Sequence, residues 1–139
     1  MKYLSKSQIR EILSKRDLEC GVAGLKDLPL PHMLKGVPEA AKLIAAHMRQ
    51  DSKILIVGDY DADGVNASAI MHGFFEALGY ERFEVVLPNR FSDGYGLSTK
   101  LLERLEAPKH YALVITVDNG VSAFEAGEFC KAHNLALII

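Results

Sequence analysis

The sequence predicts an α/β domain in which a parallel sheet carries helices on both faces, preceded by a helical N-terminal appendage. From residue 51 onward, short apolar segments alternate with helical patterns. The apolar segments are continuous and rich in β-branched residues, which is typical of strands buried on both faces. Strand–helix–strand repetition of these lengths indicates right-handed crossovers between parallel strands.

The predicted elements of the sheet domain, residues 51–139, follow in a regular order. The strands are 53–58, 83–87, 111–117 and 135–139, and the helices are 64–79, 98–105 and 122–133. Gly79 is placed to end the first helix, while Ser98 and Ser122 are placed to cap the next two. Because the last apolar strand stops at Ile139, we expect the chain to be a fragment of a longer protein.

Residues 1–50 form the predicted appendage. Its parts are a helix capped by Ser5 or Ser7 that runs through Arg16, a loop over 28–38, and an amphipathic helix over 38–50 with proline in its first turn. The sequence therefore predicts two domains, 1–50 and 51–139.

Composition narrows the function classes. The chain has 139 residues, of which 49% are hydrophobic, enough for one α/β domain. Cys20 and Cys130 are far apart and lack CxxC spacing, so we expect no disulfide framework and a core thiol at Cys130. There is neither an apolar signal core nor a run of roughly 18 apolar residues. We therefore expect a cytoplasmic protein with no membrane partner.

The acidic run DYDADG follows the first predicted strand and is the strongest chemical signal. Asp59, Asp61 and Asp63 alternate, so an extended backbone would point all three to one side, roughly 7 Å apart. Carboxylates at that spacing repel one another unless a cation neutralises them, and oxygen ligands suit Mg²⁺, Mn²⁺ or Ca²⁺. An acidic turn in which Asp61 or Asp63 caps a helix accounts for one aspartate only.

Two further observations test the metal interpretation. The run also opens like a calcium-binding EF-hand loop, but the twelfth position, which requires glutamate, is Ile70, and a strand precedes the run. Charge is uneven: residues 1–50 carry 9 − 5 = +4 and residues 51–139 carry 7 − 13 = −6. The acidic part would repel a phosphate substrate unless bound cations reversed the local field.

Two other segments fall at strand ends, where parallel sheets bind ligands. Asp118 closes the third strand in VDNG, and we expect it to join the first aspartates, although a DNG sequence is also typical of a tight turn. The loop after the second strand contains residues suited to phosphate contact through side-chain donors or close backbone approach, and these are Asn89, Arg90, Gly94, Tyr95 and Gly96. His72 follows the first motif without ligand spacing, so we expect a structural role for it.

Three segments together resemble the N-terminal part of the DHH phosphoesterase superfamily. They are GDYDADGVNASA at 58–69, LPNRFSDGYGLS at 87–98 and VDNGVSAFE at 117–125, and they match in order and spacing. Within the superfamily they are similar to the branch that degrades single-stranded DNA from the 5′ end in recombination and repair. Val57 stands where many members carry a histidine, which fits that branch.

The resemblance implies a metal-dependent exonuclease. It implies a two-ion Mn²⁺ or Mg²⁺ centre held by Asp59, Asp61, Asp63 and Asp118, with Asp61, Asp63 and Asp118 as the catalytic set. Single-stranded DNA is the implied substrate, and single-strand-binding protein is a candidate partner. The motif that names the superfamily would lie beyond Ile139, so we expect weak metal binding and little or no catalysis from this chain alone.

Two alternatives remain open on sequence. One is a sibling activity on oligoribonucleotides, cyclic dinucleotides or pyrophosphate, which would use the same carboxylates. The other is a phosphoacceptor receiver-type signalling module, which also places acidic residues after its first strand and an aspartate after its third. Which of Asp59, Asp61 and Asp63 lies outside direct metal ligation also stays open.

Overall fold

A computed structural model describes residues 5–15 and 24–139. By its contacts the chain divides into two compact units, Met1–Val37 and Pro38–Ile139. The helices are α1 (Lys6–Ser14), α2 (Val37–Arg49), α3 (Ala62–Ala77), α4 (Thr99–Arg104), α5 (Ala107–His110) and α6 (Phe124–Ala132). The strands are β1 (Ile54–Val57), β2 (Phe83–Val86), β3 (Leu113–Thr116) and β4 (Ala136–Ile138).

The first unit contains α1 and two short 3₁₀ turns, Leu25–Asp27 and Pro31–Met33. Ser5 begins α1 with a reciprocal cap: its hydroxyl accepts from the backbone N–H of Gln8, and its own N–H donates to the Gln8 side chain. The cap predicted at Ser5 is therefore confirmed. The predicted end of this helix at Arg16, like Cys20, lies outside the described residues.

The second unit is built on a four-stranded parallel sheet with the order β2-β1-β3-β4. Alternate residues of β1 point to opposite faces. Ile54 and Ile56 pack with Phe75 of α3 and with partly buried residues of α2. Leu55 and Val57 pack on the opposite face, which α4, α5 and α6 cover. The predicted parallel sheet with helices on both faces is confirmed.

The boundary between the two parts of the chain differs from the one predicted between residues 50 and 51. The contacts divide the chain after Val37, because α2 packs through Leu43, Ile44 and Met48 on the same sheet face as α3. Its amphipathic sequence predicted a helix packed against the sheet domain, and the structure places that helix within the same compact unit as the sheet. Within the described residues, no helix is long and apolar enough to cross a bilayer.

Two helix starts also differ from prediction. The first long helix, α3, begins at Ala62 rather than Gly64, because Asp61 supplies the N-cap. The cap predicted at Ser122 is wrong: α6 begins at Phe124, and its N-cap residue Ala123 makes no side-chain cap bond. The predicted Ser98 cap is confirmed, since its hydroxyl accepts from the N–H of Leu101 at 3.1 Å.

Candidate metal centre

The carboxyl ends of β1 and β3 meet where the strand order reverses. β1 lies between β2 and β3, so the connections from β1 and from β3 leave on opposite faces of the sheet. In open parallel sheets this reversal creates a crevice beyond the strand ends, where ligands bind. Asp59 follows β1 and Asp118 follows β3, so the fold brings the two acidic segments to this crevice.

Three aspartates form a compact group at the crevice. Asp59, Asp61 and Asp118 each offer a carboxylate oxygen, and these oxygens lie within 4.8 Å of one another. Asp59 is 1% exposed, whereas Asp61 and Asp118 face solvent. One buried and two exposed carboxylates provide an anchored oxygen set that is open on one side, a geometry suited to a hard divalent cation.

Local hydrogen bonds explain how the first motif folds into this shape. Asp59 accepts the N–H of Tyr60 at 2.7 Å, and Asp61 accepts the N–H of Gly64 at 2.9 Å as the N-cap of α3. The run is therefore not extended as predicted, because the helix starts at Ala62. Asp63 becomes the second residue of α3 and lies outside the group of three, so its metal and catalytic roles stay a prediction.

Asp118 lies in a tight turn and in the acidic group at once. Its backbone φ is +60°, in the left-handed region that aspartate tolerates better than most residues. Partial desolvation, and then the charges of Asp61, Asp63 and Asp59, raise the pKa of Asp118. The carboxylates repel one another, and a divalent cation would relieve that repulsion, so the donor set fits the predicted metal.

Asn119 holds the strand ends together at the candidate centre, which the sequence analysis did not predict because the DNG sequence suggested only a turn. Its side-chain N–H groups donate to the carbonyls of Val57 at 3.0 Å and Val117 at 2.9 Å. Its side-chain oxygen accepts the N–H of Leu97 at 2.9 Å. One amide thus ties β1, the end of β3 and the substrate loop predicted after β2 into one unit. The sequence feature that could have indicated this role is an asparagine directly after Asp118 at the end of a predicted strand.

The loop that joins β2 to α4, residues 87–98, is held from beneath by Asp93. This side chain is buried and accepts two bonds from the Arg104 guanidinium, at 2.9 and 2.8 Å. It also accepts the N–H of Asn89 at 2.8 Å. The Arg104 hydrogen bond first, and then the Asn89 bond, lower the pKa of Asp93. Asn89, which was predicted to bind substrate, therefore stabilises the conformation of this loop through its hydrogen bond to Asp93.

We expect Asp93→Asn to remove the contribution that the ionised Asp93 carboxylate makes to the free energy of unfolding. The folded-state pKa of Asp93 is lowered, so its contribution is fully present above the unfolded value of about 3.9 and is lost as pH falls below about 4. At neutral pH the variant should lose about 2 kcal/mol, the usual value of hydrogen bonds to a charged group.

Denaturant unfolding at several pH values measures this effect. The matched control is Asp51→Asn, which removes a charge from the exposed Asp51–Arg82 pair. That variant should change stability by less than about 1 kcal/mol. Equal losses of stability in the two variants would contradict the role given to Asp93. So would a free energy of unfolding that depends on pH below about 4 in Asp93→Asn as steeply as in the parent.

Tyr95 links the loop to the acidic group. The Asp59 carboxylate near its hydroxyl is the main cause of the raised pKa of Tyr95. Its ring meets the ring of Tyr60 edge to face at 6.1 Å, and the Arg90 guanidinium lies 5.9 Å from the Tyr60 ring centroid. Arg90 and Tyr95, both predicted as substrate residues, therefore both contact Tyr60, the residue that follows Asp59.

The two predicted loop glycines differ in their surroundings. A side chain at Gly96 would meet Asn119 at 2.8 Å, and φ there is +58°. Gly94 also has a positive φ, +86°, but open space surrounds it. Gly96 is therefore required by the close approach to Asn119, and Gly94 by backbone conformation alone.

A cavity of about 470 Å³ beside Tyr95 and Asp118 leaves room for a ligand.

Two other residues lie away from the acidic group. His72 contacts Glu76 at 3.3 Å and the Phe83 ring at 5.2 Å, on the side of α3 that borders β2. Cys130 is 1% exposed in the core beneath α6, and burial raises the pKa of its thiol. The predicted core thiol is confirmed, and the placement of His72 agrees with a structural role.

The family model described as "DHH family, N-terminal domain" matches residues 53–139. The chain belongs to the DHH family. The match covers the whole sheet and both acidic segments of the candidate centre. This membership leaves the receiver-type alternative without support.

Curated relatives of this DHH-family chain carry the name single-stranded-DNA-specific exonuclease RecJ. The protein from Salmonella typhimurium is 35% identical over 130 residues, which are 94% of this chain and 22% of the relative. The Escherichia coli protein is 34% identical over the same shares, and the Thermus thermophilus protein is 41% identical over 90 residues, 64% of this chain and 13% of the relative. The chain therefore spans about a fifth of the length of the first two.

Solved structures agree with the sequence comparison. A crystal structure of exonuclease RecJ bound to manganese matches 79% of this chain and 27% of its own, at 32% identity and a TM-score of 0.68. A structure of RecJ from Thermus thermophilus in complex with Mn²⁺ matches 78% of this chain and 14% of its own, at 30% identity and a TM-score of 0.61. The fold and both strand-end motifs thus belong to a family with manganese-bound members.

Proposed function

We propose that this chain supplies one half of a two-ion Mn²⁺ or Mg²⁺ centre that hydrolyses single-stranded DNA from its 5′ end, in recombination and repair. The observation that carries the proposal is the group of Asp59, Asp61 and Asp118, with oxygens within 4.8 Å at the β1/β3 crevice. Similarity to manganese-bound RecJ structures supports the choice of ion. Asp63 is included as a further ligand because it lies close enough to raise the pKa of Asp118.

The residues of the chain divide the work as follows. Asp59, which is buried and accepts the N–H of Tyr60, anchors the centre, while Asp61 and Asp118 offer exposed oxygens. When bound by these residues, Mn²⁺ or Mg²⁺ would lower the pKa of a water so that hydroxide is available near neutral pH, and would offset negative charge on the phosphate oxygens. Arg90 orients the phosphate through charge-assisted hydrogen bonds.

Loop geometry supports a role for the 94–96 backbone in phosphate contact. Gly94 and Gly96 both have positive φ, which turns their N–H groups in directions that most residues do not allow. Asn119 holds the end of this loop at the strand ends through Leu97. The loop and the acidic group are therefore positioned by the same amide, so phosphate and cation can meet in one place.

A segment exchange tests the proposal. This chain would replace the matching 130 residues of the Escherichia coli RecJ protein, to which it is 34% identical. We expect the chimera to degrade 5′-labelled single-stranded DNA with Mn²⁺ present, and the same chimera with Asp61→Asn to lose at least about 100-fold in rate. Activity unaffected by Asp61→Asn, or a chimera that folds but degrades no single strand, would refute it.

The sibling activities are tested in the same assay. Oligoribonucleotides, cyclic dinucleotides and pyrophosphate are offered to the chimera in place of DNA, and preference for one of them would replace the DNA proposal. A DNA substrate would place the protein in the cytoplasm. Single-strand-binding protein remains a predicted partner.

A further inference from the structure

Phe91 is an exposed aromatic residue at the tip of the loop that joins β2 to α4. Its side chain is 97% exposed. Single exposed apolar side chains are common and need no explanation by themselves. Phe91 differs from the common case in that side-chain hydrogen bonds hold its backbone in a turn, beside the exposed cationic residue Arg90.

The turn beneath Phe91 is built from hydrogen bonds and a buried ion pair. The side-chain oxygen of Asn89 accepts the N–H of Phe91 at 2.9 Å, and the carbonyl of Asn89 accepts the N–H of Asp93 at 2.8 Å. Asp93 is 3% exposed and bonds twice to Arg104 on α4. The aromatic ring is therefore presented from a backbone anchored to a core helix, which lowers the entropy lost when a ligand binds.

Charge and position around Phe91 suit a polyanion with flat groups. The preceding Arg90 lies 5.9 Å from the ring of Tyr60, the residue that follows Asp59, and Tyr60 contacts Tyr95. Phe91 follows Arg90 in the chain, so a phosphate held by Arg90 would bring its nucleotide to the loop that carries Phe91. Aromatic side chains beside cations are the usual platform for bases of single strands.

We propose that Phe91 stacks on a base of the bound single strand and so selects unpaired nucleic acid. The proposal rests on the function proposed above and deepens it by naming a contact to the base. Inside a duplex the faces of each base are covered by its neighbours, so a protruding phenyl ring cannot stack on an internal paired base. In a single strand the base can leave its neighbours and lie on the ring.

Fluorescence offers a direct test, because the chain contains no tryptophan. Phe91→Trp places one indole in the loop, and titration with phosphorothioate-linked hexathymidylate at constant Mg²⁺ should quench it. A hexamer of abasic sugar phosphates has the same charge without bases and should quench it little. Phe91→Ala, whose binding is measured by the anisotropy of dye-labelled hexathymidylate, should bind it roughly 5- to 150-fold more weakly than the parent, the range found for loss of one base stack.

The matched control is Phe124→Trp. Phe124 is 77% exposed and begins α6, outside the loop. Its fluorescence should respond to neither oligomer, and both variants should fold because both side chains face solvent. Equal quenching of Phe91→Trp by the abasic hexamer would overturn the proposal in favour of a backbone contact.

Two further outcomes would also overturn stacking. One is an absence of quenching by hexathymidylate, and the other is an emission shift to shorter wavelength with rising protein concentration alone, which would show that a second copy covers Phe91. Failure of the proposed hydrolysis is seen separately in the Mn²⁺-dependent chimera assay. Quenching by hexathymidylate without hydrolysis would support base stacking while refuting the nuclease.

Discussion

Gly64→Ala is expected to lower the free energy of unfolding by about 3 kcal/mol or more and to displace Asp59. A Cβ atom added at Gly64 would lie 2.5 Å from the Cβ of Asp59 and 2.7 Å from its Cα and N. These atoms belong to the backbone or are fixed to it, so no side-chain rotation relieves the overlap. Helix propensity favours alanine by only about 1 kcal/mol, so the steric cost decides the sign.

Gly73→Ala is the matched control, in the same helix. Nothing lies within 4 Å of the added Cβ at Gly73, so alanine should stabilise the chain by up to about 1 kcal/mol. Denaturant unfolding of both variants measures the two changes, and Mn²⁺ titration reports the shift of Asp59. Gly64→Ala as stable as Gly73→Ala would show that the strand-to-helix junction is looser than the contacts indicate.

Asp61→Asn is expected to remove most of the stabilisation that Mn²⁺ provides, without loss of the fold. Asparagine caps a helix about as well as aspartate, so the bond from Gly64 N–H survives while the charge is lost. A ligand at 100 times its dissociation constant stabilises a protein by about 2.7 kcal/mol, and this gain should disappear. Without metal the variant should be slightly more stable than the parent, because one of the repelling charges is gone.

Thermal unfolding with and without Mn²⁺ separates these effects. Asp63→Asn removes the same charge from the same helix end but lies outside the group of three. If Asp63 is a ligand, as predicted, its variant should also lose part of the Mn²⁺ response, and if it acts only through its charge the response should remain. An undiminished Mn²⁺ response in Asp61→Asn would remove Asp61 from the centre.

The predictable part of the fold rests on patterns that act locally. The continuous β-branched segments at β1 and β3 require burial on both faces, which predicts parallel strands between layers of helices. Gly79 ends α3 with a φ of +66°, and Ser98 caps α4, as their residue types indicate. The cap predicted at Ser122 is wrong because α6 begins at Phe124, so that the N-cap position belongs to Ala123, which has no polar side chain.

Site residues were predictable where chemistry and strand ends coincide. Asp59, Asp61 and Asp118 follow strands whose carboxyl ends share one edge, so their proximity follows from topology. The extended backbone predicted for the run from Asp59 to Asp63 is not observed, because Asp61 is the N-cap of α3. The helix begins at Ala62, directly after this cap, so Asp63 is its second residue.

The sequence by itself determined the class of fold, the acidic strand ends and the family resemblance, because these depend on residue type and spacing along the chain. Only the tertiary structure decided what Asn119 and Asp93 do. Asn119 bonds to Val57, 62 positions away, and to Leu97, 22 positions away. No local pattern encodes such partners, since they meet only when strands and loop have packed. The acidic run is a motif in the sequence, and it becomes a candidate centre through contacts that packing alone creates.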